Sequence, residues 1–526
     1  MSREPVVVVG AGPTGLLLAA ELARRGTQVR ILERAGSPSQ ESRANGIHSR
    51  TLETLDRLGI ARELVALGNP IAAFNIISGG RPILHVDFSR LDGPFPCALI
   101  VPQYQTQAVL ERYLWSLGVG VERGVEVRRL RQGGDRVVLT TSAGDVEASH
   151  VVGCDGAHST VRHELGLPFE GQGYGQDWLG TDVQVDWEYP STETHIFASP
   201  AGVLGCFPFG GGRWRVMVAQ VANRPEERAR PGLEEIRELV ARRGPAGMRI
   251  GDPTWLGAFR ASRRSAPRYR VGRVFLAGDA VHIHSPAAGQ GMNTGLGDAA
   301  NLGWKLALVA GGQACDALLD TYEQERAPVA RQVIALTHSL VQVFGAKAFR
   351  SPAGRRVRDQ LLPRCTAEPH AASAIARRFS QQHVSYRGSR LAAGTSRGPV
   401  RAGDRAPDVP GWSPAGGASF FDVFQHGGHT LLVAGDRLPG PAISDLYPGL
   451  PEDSRAVVVP PGGPAAARYG LRAGWVCLVR PDGYVAYRGP GAGSGGYLEG
   501  YLAPAIPSAA GSSGPAPAPD GAASRP

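Results

Sequence analysis

The segment that decides the fold has the sequence VVVVGAGPTG at residues 6–15 and LLLAAELARRGTQVRILE at residues 16–33. The four consecutive valines predict a short buried strand of a parallel sheet. The apolar run that begins at Leu16 has helical spacing and stops at Gly26, and a second strand is expected at residues 29–32. The order strand, glycine-rich turn, helix and strand predicts a βαβ unit of a doubly wound α/β fold.

The turn between the first strand and the helix carries the pattern GxGxxG, with glycines at Gly10, Gly12 and Gly15. The first glycine permits the tight turn, the second lets the backbone approach a pyrophosphate, and the third lets helix and strand pack closely. The helix N-terminus offers unpaired N–H groups to phosphates. Glu33 ends the second strand, where a carboxylate accepts hydrogen bonds from a ribose. These features predict a dinucleotide site, without choosing between FAD and NAD(P).

Two later segments repeat the arrangement of a buried strand that runs into a turn with glycine and aspartate. Residues 151–162 have the sequence VVGCDGAHSTVR, and residues 273–280 have the sequence RVFLAGDA. The second is followed by PAAGQGMN at residues 286–293 and by a long predicted helix from Thr294 to about Ala310. In α/β folds, ligands bind at the carboxyl ends of the strands, so Asp279 is expected near a bound ligand.

The three motifs resemble the GxGxxG, DG and GD marks of the class A flavoprotein monooxygenases. This group of aromatic hydroxylases includes para-hydroxybenzoate hydroxylase and phenol hydroxylase. The resemblance spans residues 5 to about 330, and within the group it is greatest to bacterial aromatic polyketide hydroxylases. That narrower likeness is carried by SRANGIHSRTLE at residues 42–53, by the loop at residues 289–293 and by a C-terminal extension.

The resemblance implies FAD and NADPH as cofactors and assigns roles to residues near the FAD. Arg43 is a predicted pyrophosphate partner, Gln103 a phosphate or ribityl contact, and Asp279 a ribityl contact. The start of the long helix would stabilise negative charge at the pyrimidine end of the flavin. The complete set of predicted cofactor-binding residues is Gly10, Gly12, Pro13, Thr14, Gly15, Glu33, Arg34, Arg43, Gln103, Asp155, Asp279, Pro286, Gly289, Gly291, Met292 and Asn293. In this group NADPH has no Rossmann domain of its own, and residues 491–496, GAGSGG, lack the context of a second one.

Between the motifs, the pattern changes to short strands. A hairpin with a Gly-Gly turn is expected at residues 76–88, and residues 181–187 alternate with period two. Such a sheet over a flavin predicts a broad apolar substrate pocket. The candidate pocket residues are Phe74, Phe88, Phe95, Phe207, Phe209, Arg213, Trp214 and Met217. His48 and Arg213 are further candidates for tuning the pKa of a phenolic substrate.

The predicted fold class is α/β, with a Rossmann-type FAD-binding domain, an inserted β-sheet substrate domain and a C-terminal thioredoxin-like domain. The FAD-binding domain takes residues 1–75, 97–178 and 262–393, and the substrate domain takes residues 76–96 and 179–261. Residues 401–502 resemble the thioredoxin-like extension of phenol and polyketide hydroxylases but lack CxxC, so a structural or assembly role is expected. Residues 503–526, rich in Ala, Pro, Gly and Ser, are predicted to be a disordered tail.

Composition excludes several other classes. The formal charge is +9, but the basic residues are scattered and only two are lysines, so a nucleic-acid partner is not expected. No apolar run is long enough for a membrane span, and no secretory signal is recognisable. The six cysteines are far apart, which predicts free thiols in a reducing cytoplasm. His282 and His284 lack nearby partners for a metal, and no metal is expected.

The resemblance implies a monooxygenase in which NADPH reduces FAD and a flavin C4a-hydroperoxide hydroxylates a polycyclic aromatic polyketide. Such an enzyme belongs to the biosynthesis of antibiotics or other secondary metabolites. The chemistry is borne mainly by the flavin, so no catalytic side chain is predicted. The partners are the aromatic substrate and O2, and the protein is expected to be a monomer or a homodimer. The alternatives are a Baeyer–Villiger oxygenase, a drug-inactivating hydroxylase, a flavin dehydrogenase that transfers no oxygen, and a non-catalytic flavin-binding protein.

Overall fold

The computed structural model describes residues 4–39, 44–221, 232–345, 351–412, 419–436, 450–451 and 453–493. The helices are α1 (Pro13–Ala23), α2 (Ser49–Asp56), α3 (Ala61–Leu67), α4 (Gln103–Ser116), α5 (Thr160–Glu164), α6 (Leu233–Arg243), α7 (Gln290–Ala310), α8 (Ala317–Gly345), α9 (Pro352–Thr366), α10 (Pro369–Phe379) and α11 (Pro464–Tyr469). The strands are β1 (Val6–Val9), β2 (Val29–Glu33), β3 (Gly46–Ile47), β4 (Asn69–Ile71), β5 (Ala73–Ser78), β6 (Arg81–Asp87), β7 (Ala98–Ile100), β8 (Val121–Arg123), β9 (Val127–Gly133), β10 (Arg136–Thr141), β11 (Gly144–Ala148), β12 (His150–Gly153), β13 (Glu170–Asp186), β14 (Glu193–Ser199), β15 (Gly202–Gly210), β16 (Arg213–Val221), β17 (Arg249–Ile250), β18 (Trp255–Ser265), β19 (Arg270–Val271), β20 (Val274–Leu276), β21 (His282–Ile283), β22 (Ala393–Gly394), β23 (Thr430–Ala434), β24 (Arg455–Val459), β25 (Trp475–Val479) and β26 (Val485–Pro490).

The first layer is a sheet with the strand order β19-β20-β12-β1-β2-β8, in which only the β19–β20 pair is antiparallel. Its central strand β1 is buried along its whole length, as the run of valines predicts. Helices α1 and α7 pack together beside it, and α1 buries Leu16, Leu17 and Leu18 completely. Strands β9, β10 and β11 form a separate antiparallel sheet next to α5.

The second layer is a large mixed sheet with the strand order β21-β18-β13-β16-β15-β14-β5-β6, and β17 pairs with β13. The predicted hairpin is β5 and β6, joined at Gly79 and Gly80, which both have positive φ. The sheet extends past the predicted bounds, because β5 begins at Ala73, β13 begins at Glu170 and β18 continues to Ser265. At one edge of the large sheet, the end of β18 pairs with β21, which follows β20 of the first layer in the chain.

The C-terminal part forms a sheet with the order β22-β26-β25-β23-β24. A buried ion network joins it to the first layer. Arg480 binds both carboxylate oxygens of Glu325 on α8 at 2.6 and 2.8 Å, and Lys305 on α7 lies 2.7 Å from the same carboxylate. The predicted tail, residues 503–526, lies outside the described residues. In the part of the chain that the structure describes, no helix combines the length and apolarity needed to cross a membrane.

Candidate active site

Three strands of the parallel sheet end side by side and bring the three motifs together. Val9 pairs with Gly153, and Gly153 pairs with Leu276. Because these strands are parallel, the turns that follow them emerge at the same edge of the sheet. The GxGxxG, DG and GD segments, which are distant in sequence, therefore meet in space as predicted.

The glycines of these turns are required by close contacts between one turn and the next. A Cβ atom on Gly10, which has φ of +101°, would lie 2.5 Å from the carbonyl oxygen of Cys154 in the DG turn. A Cβ on Gly15 would overlap the carbonyl oxygen of Gly10. A Cβ on Gly278 would lie 2.8 Å from the hydroxyl oxygen of Thr14. Only glycine allows the three turns to pack this tightly.

The buried carboxylate of Asp298 on α7 holds the GD turn through a hydrogen bond. It accepts the backbone N–H of Gly278 at 3.1 Å and lies 2.7 Å from both His282 Nε2 and Arg326 Nε. Burial alone would raise the pKa of Asp298, but Arg326 and His282 hold it below its ordinary value. The charged carboxylate therefore fixes the turn that carries Asp279. His282 is thus engaged in this ion cluster, and no group of metal-binding side chains occurs among the described residues.

The turns line a cleft with a volume of about 480 Å³. Its walls come from the loops after β1, β12 and β20, from residues around Ala44–Gly46 and from the start of α7. The predicted cofactor-binding residues that line it are Gly12, Pro13, Thr14, Gln103, Asp279, Pro286, Gly289, Gly291 and Met292. The side chain of Gln103 also accepts the backbone N–H of Ala44 at 3.1 Å, which ties α4 to this wall.

Other predicted cofactor residues stand behind the cleft or away from it. Glu33 accepts the backbone N–H groups of Ala11 at 2.8 Å and Ala35 at 2.9 Å, so it braces the first turn. Arg34 is exposed and does not line the cleft. Arg43 lies outside the described residues.

Asp155 and Asn293 act on the backbone around them. One oxygen of Asp155 accepts the N–H of Val161 at the start of α5, and its neighbours Gly156 and Ala157 line the cleft instead. Burial raises the pKa of Asp155. Asn293 accepts the N–H of His48 at 2.8 Å and donates to the carbonyl oxygens of Gly46 and Gly289. It thereby joins the start of α7 to the segment before α2.

Two further residues of the cleft wall, Asn45 and His284, were not predicted. Asn45 Nδ2 and His284 Nε2 are buried and have no hydrogen-bond partner within the described ranges. Burial lowers the pKa of His284 to about 4, so its ring is neutral, and Nδ1 pairs with the carbonyl oxygen of Ser285. When Nδ1 carries the proton, Nε2 is an acceptor.

A buried donor and a buried acceptor without partners are unusual in a folded protein and point to a bound polar group. The isoalloxazine ring of FAD carries both carbonyl oxygens and an N–H group. The donor set of the cleft therefore fits FAD. The sequence offered one signal for Asn45, its place in the segment at residues 42–53 that resembles polyketide hydroxylases. The sequence alone does not show that the side chain of Asn45 faces the cleft.

An apolar cavity of about 160 Å³ adjoins the cleft, on the side of the large sheet. Its walls include Phe74, Trp178, Leu340 and Phe344. Phe207, Met217 and Pro286 line both spaces, so the cavity and the cleft meet at these three residues. Of the predicted pocket residues, Phe74, Phe207 and Met217 are therefore at the cavity.

The other five predicted pocket residues line neither the cleft nor the cavity. On β16, Met217 faces the cavity, whereas Trp214 has the opposite parity and stacks edge-on against Trp187 at 4.7 Å on the far face of the sheet. Arg213 is exposed and donates to Thr254. The three remaining aromatic rings pack into apolar cores: Phe88, Phe95 and Phe209.

Comparison with known proteins settles the family. A model described as "FAD binding domain" matches residues 3–337, and one described as "Aromatic-ring hydroxylase, C-terminal" matches residues 400–506. The chain belongs to the FAD-dependent aromatic monooxygenases. As a member of this family it is an enzyme that uses FAD, which agrees with the donor set of the cleft.

Individual relatives of this monooxygenase cover nearly all of the chain. A 6-methylpretetramide 4-monooxygenase of Streptomyces rimosus is 34% identical over 93% of this chain and 91% of its own. The solved anhydrotetracycline hydroxylase of the same species matches with a TM-score of 0.79 and 32% identity, over 95% of this chain and 99% of that one. An aklavinone-11 hydroxylase, solved with FAD and aklavinone, matches with a TM-score of 0.76 and 27% identity over 95% and 100%.

Proposed function

We propose that this monooxygenase hydroxylates a polycyclic aromatic polyketide with NADPH and O2, in the biosynthesis of an antibiotic or related secondary metabolite. The observation that carries the proposal is the junction between the polar cleft and the apolar cavity at Phe207, Met217 and Pro286. A flat aromatic substrate in the cavity would meet the flavin there. The relatives named for tetracycline intermediates and aklavinone support this class of substrate.

In this proposal, the residues of the chain bind and orient while the cofactor reacts. Bound FAD supplies the redox chemistry, accepting electrons from the nicotinamide coenzyme and passing them to O2. Gly12 and the start of α1 would receive the pyrophosphate, and Asp279 the ribityl chain. The first N–H groups of α7 would face the pyrimidine ring and stabilise negative charge on it. The apolar walls at Phe74, Trp178 and Phe344 exclude water from the reacting ring.

The remaining parts of the chain have supporting roles in the proposal. The large sheet, made mainly of residues 73–87 and 170–265, is the substrate domain inserted into a Rossmann-type FAD-binding domain. The C-terminal sheet is a thioredoxin-like domain without a redox role, because no cysteine pair stands in it as CxxC. The six cysteines are all free thiols, which suits a reducing cytoplasm. We expect a monomer or a homodimer.

The test is NADPH and NADH oxidation by the FAD-loaded enzyme under 18O2, against a panel of anthraquinones, angucyclinones and tetracycline-type compounds. The proposal expects substrate-stimulated oxidation of the coenzyme, with one labelled oxygen in the product. NMR of the product separates hydroxylation of a ring from Baeyer–Villiger insertion beside a ketone. Turnover with an artificial electron acceptor and no label in the product would instead identify a flavin dehydrogenase and refute the proposal.

A further inference from the structure

The loop at residues 286–289 forms the wall between the two spaces of the site. Pro286 and Gly289 line the flavin cleft, and Pro286, Ala287 and Ala288 line the apolar cavity. Any displacement of this loop would therefore change the position of the flavin and of the substrate ring together. What holds the loop in place thus matters for the proposed reaction.

The loop has a strained backbone conformation. Ala288 has φ of 59° and ψ of 17°, and Gly289 follows with φ of 59° and ψ of 33°. Glycine adopts this left-handed region freely, whereas alanine pays a steric penalty because of its Cβ atom. Such strain persists only where the surroundings hold the backbone in place.

Side chains from two directions provide that restraint at Ala288. Its carbonyl oxygen accepts hydrogen bonds from His48 Nε2 at 3.0 Å and from Gln290 Nε2 at 3.2 Å. Gln290 is fully buried and also donates to the carbonyl oxygen of Phe379 at 3.0 Å. The amide of Gln290 thus connects the loop to the end of α10, on the side of the apolar cavity.

A second strained residue holds Gln290 itself. Gln381 has φ of 62°, is 4% exposed, and donates from Nε2 to Gln290 Oε1 at 2.8 Å and to Thr294 Oγ1 at 3.2 Å. In the part of the chain that the structure describes, Ala288 and Gln381 are the only non-glycine residues with positive φ. These two residues are the ends of one chain of hydrogen bonds, which runs from Gln381 through Gln290 to Ala288.

We propose that Gln381 is a positioning residue for the monooxygenase reaction, acting through Gln290 to fix the wall between flavin and substrate. Its side chain touches neither space, because it does not line the cleft or the cavity. Without its amide, Gln290 loses one restraint and the strained loop relaxes. A substrate ring held less firmly lets reduced enzyme lose its electrons to O2, by NADPH + H⁺ + O2 → NADP⁺ + H2O2, instead of oxidising the substrate.

The test compares two buried neighbours, each replaced by the nearly isosteric methionine. Gln381→Met removes the amide that holds Gln290, whereas Gln382→Met removes an amide that donates to Ser49, to Glu53 and to the carbonyl oxygen of Asp92, and to no atom of the loop. Hydrogen exchange of residues 286–293 in the FAD-loaded protein is the first measurement, and the ratio of H2O2 to hydroxylated product is the second. For Gln381→Met we expect exchange to quicken by about 3- to 10-fold, as for the one hydrogen bond that Gln290 loses, and the H2O2 fraction to rise. Gln382→Met should change neither.

A second comparison relieves the backbone strain at Ala288, alone and together with Gln381→Met. Ala288→Gly relieves the left-handed penalty, so its melting temperature should equal or exceed that of the wild type. In the Ala288→Gly/Gln381→Met double variant, the loss of Gln381 should have a smaller effect than in the wild-type background. This comparison also applies if Gln381→Met alone does not fold, since the double variant should then regain folding.

Three results would overturn the proposal. The first is that Gln381→Met changes neither the hydrogen exchange of residues 286–293 nor the ratio of H2O2 to hydroxylated product. The second is a lower melting temperature for Ala288→Gly than for the wild type. The third is that Gln381→Met has the same effect in the Ala288→Gly background as in the wild type. Only the H2O2 measurement rests on the proposed function. If no substrate is hydroxylated at all, the exchange and melting measurements still decide the role of Gln381, and the failure lies with the proposed function instead.

Discussion

Replacing Gly12 by alanine should separate binding of FAD from stability of the fold. Gly12 has φ of −70° and ψ of 175°, which alanine adopts without strain, and a Cβ at this position would have no atom of the chain within 4 Å. The apoprotein should therefore be unchanged or about 0.4–1 kcal/mol more stable, since alanine lowers the entropy of the unfolded chain. The methyl group would occupy the space that the pyrophosphate needs.

The expected loss of affinity follows from the hydrogen bonds at stake. A pyrophosphate pushed away from the start of α1 loses charged hydrogen bonds worth about 1.5–3 kcal/mol, so the Kd for FAD should rise about 10- to 100-fold. At saturating FAD, the stabilisation that the cofactor provides should fall by the same amount, about 1.5–3 kcal/mol. The assays are quenching of flavin fluorescence and thermal denaturation with and without FAD.

Gly15→Ala is the contrasting variant. Its Cβ would overlap the carbonyl oxygen of Gly10, so the turn must shift and the apoprotein itself should lose about 1–3 kcal/mol. If Gly12→Ala binds FAD within about twofold of the wild-type affinity, the pyrophosphate does not approach Gly12 and the assignment of the cleft is wrong. If Gly12→Ala melts as low as Gly15→Ala, the two glycines do not have the separate roles described.

Three further predictions concern stability and the substrate cavity. Glu325→Gln leaves Lys305 buried without its counter-charge and leaves Arg480 with Asp482 as its remaining carboxylate, so it should cost about 3–5 kcal/mol. Asp320→Asn, at an exposed ion pair on the same helix, should cost under about 1 kcal/mol; equal melting temperatures would contradict this reasoning. Burial lowers the pKa of both His48 and His284 to about 4, whereas an unfolded histidine titrates near pH 6.5, so the unfolded chain binds more protons between these values. The free energy of unfolding should therefore fall as the pH drops from about 6.5 towards 4, by up to about 1.4 kcal/mol per pH unit for each histidine. A melting temperature that does not change over this pH range would refute this prediction. Leu340→Trp puts an indole ring in place of a leucine side chain that lines the apolar cavity but not the cleft, so it should raise the substrate KM about 10-fold with the FAD affinity unchanged. A parallel loss of FAD binding would contradict the assignment of the cavity to the substrate and of the cleft to FAD.

The part of the site that depends on short-range geometry was predictable from the sequence. Gly10 and Gly15 stand where backbone meets backbone, and Gly278 has a positive φ and lies against the side chain of Thr14; such contacts require glycine at fixed positions in a strand and turn. The meeting of the three turns follows from parallel strands that end at one edge of a sheet. The convergence of the motifs could therefore be predicted without coordinates.

The walls of the apolar cavity were less predictable. The alternation of β16 shows that Met217 and Trp214 lie on opposite faces, but it does not disclose which face meets the flavin cleft. Which face of β16 meets the cleft depends on the packing of the large sheet against α8, and these two elements are far apart in the sequence. Likewise, nothing in the sequence marks Ala288 as left-handed, since alanine is not a residue typical of that conformation.

The burial of Arg480 against α7 and α8 has a consequence for recombining members of this family. A chimera joined in the connection between the two parts, near residues 394–403, would leave the Arg480 guanidinium with Asp482 as its carboxylate partner, unless the other parent also supplies a carboxylate at the position of Glu325. Successful exchange of the C-terminal unit should require that Lys305, Glu325 and Arg480 travel together. A library of hybrids that ignores this triplet should yield mostly insoluble enzymes, whatever substrates the parents accept.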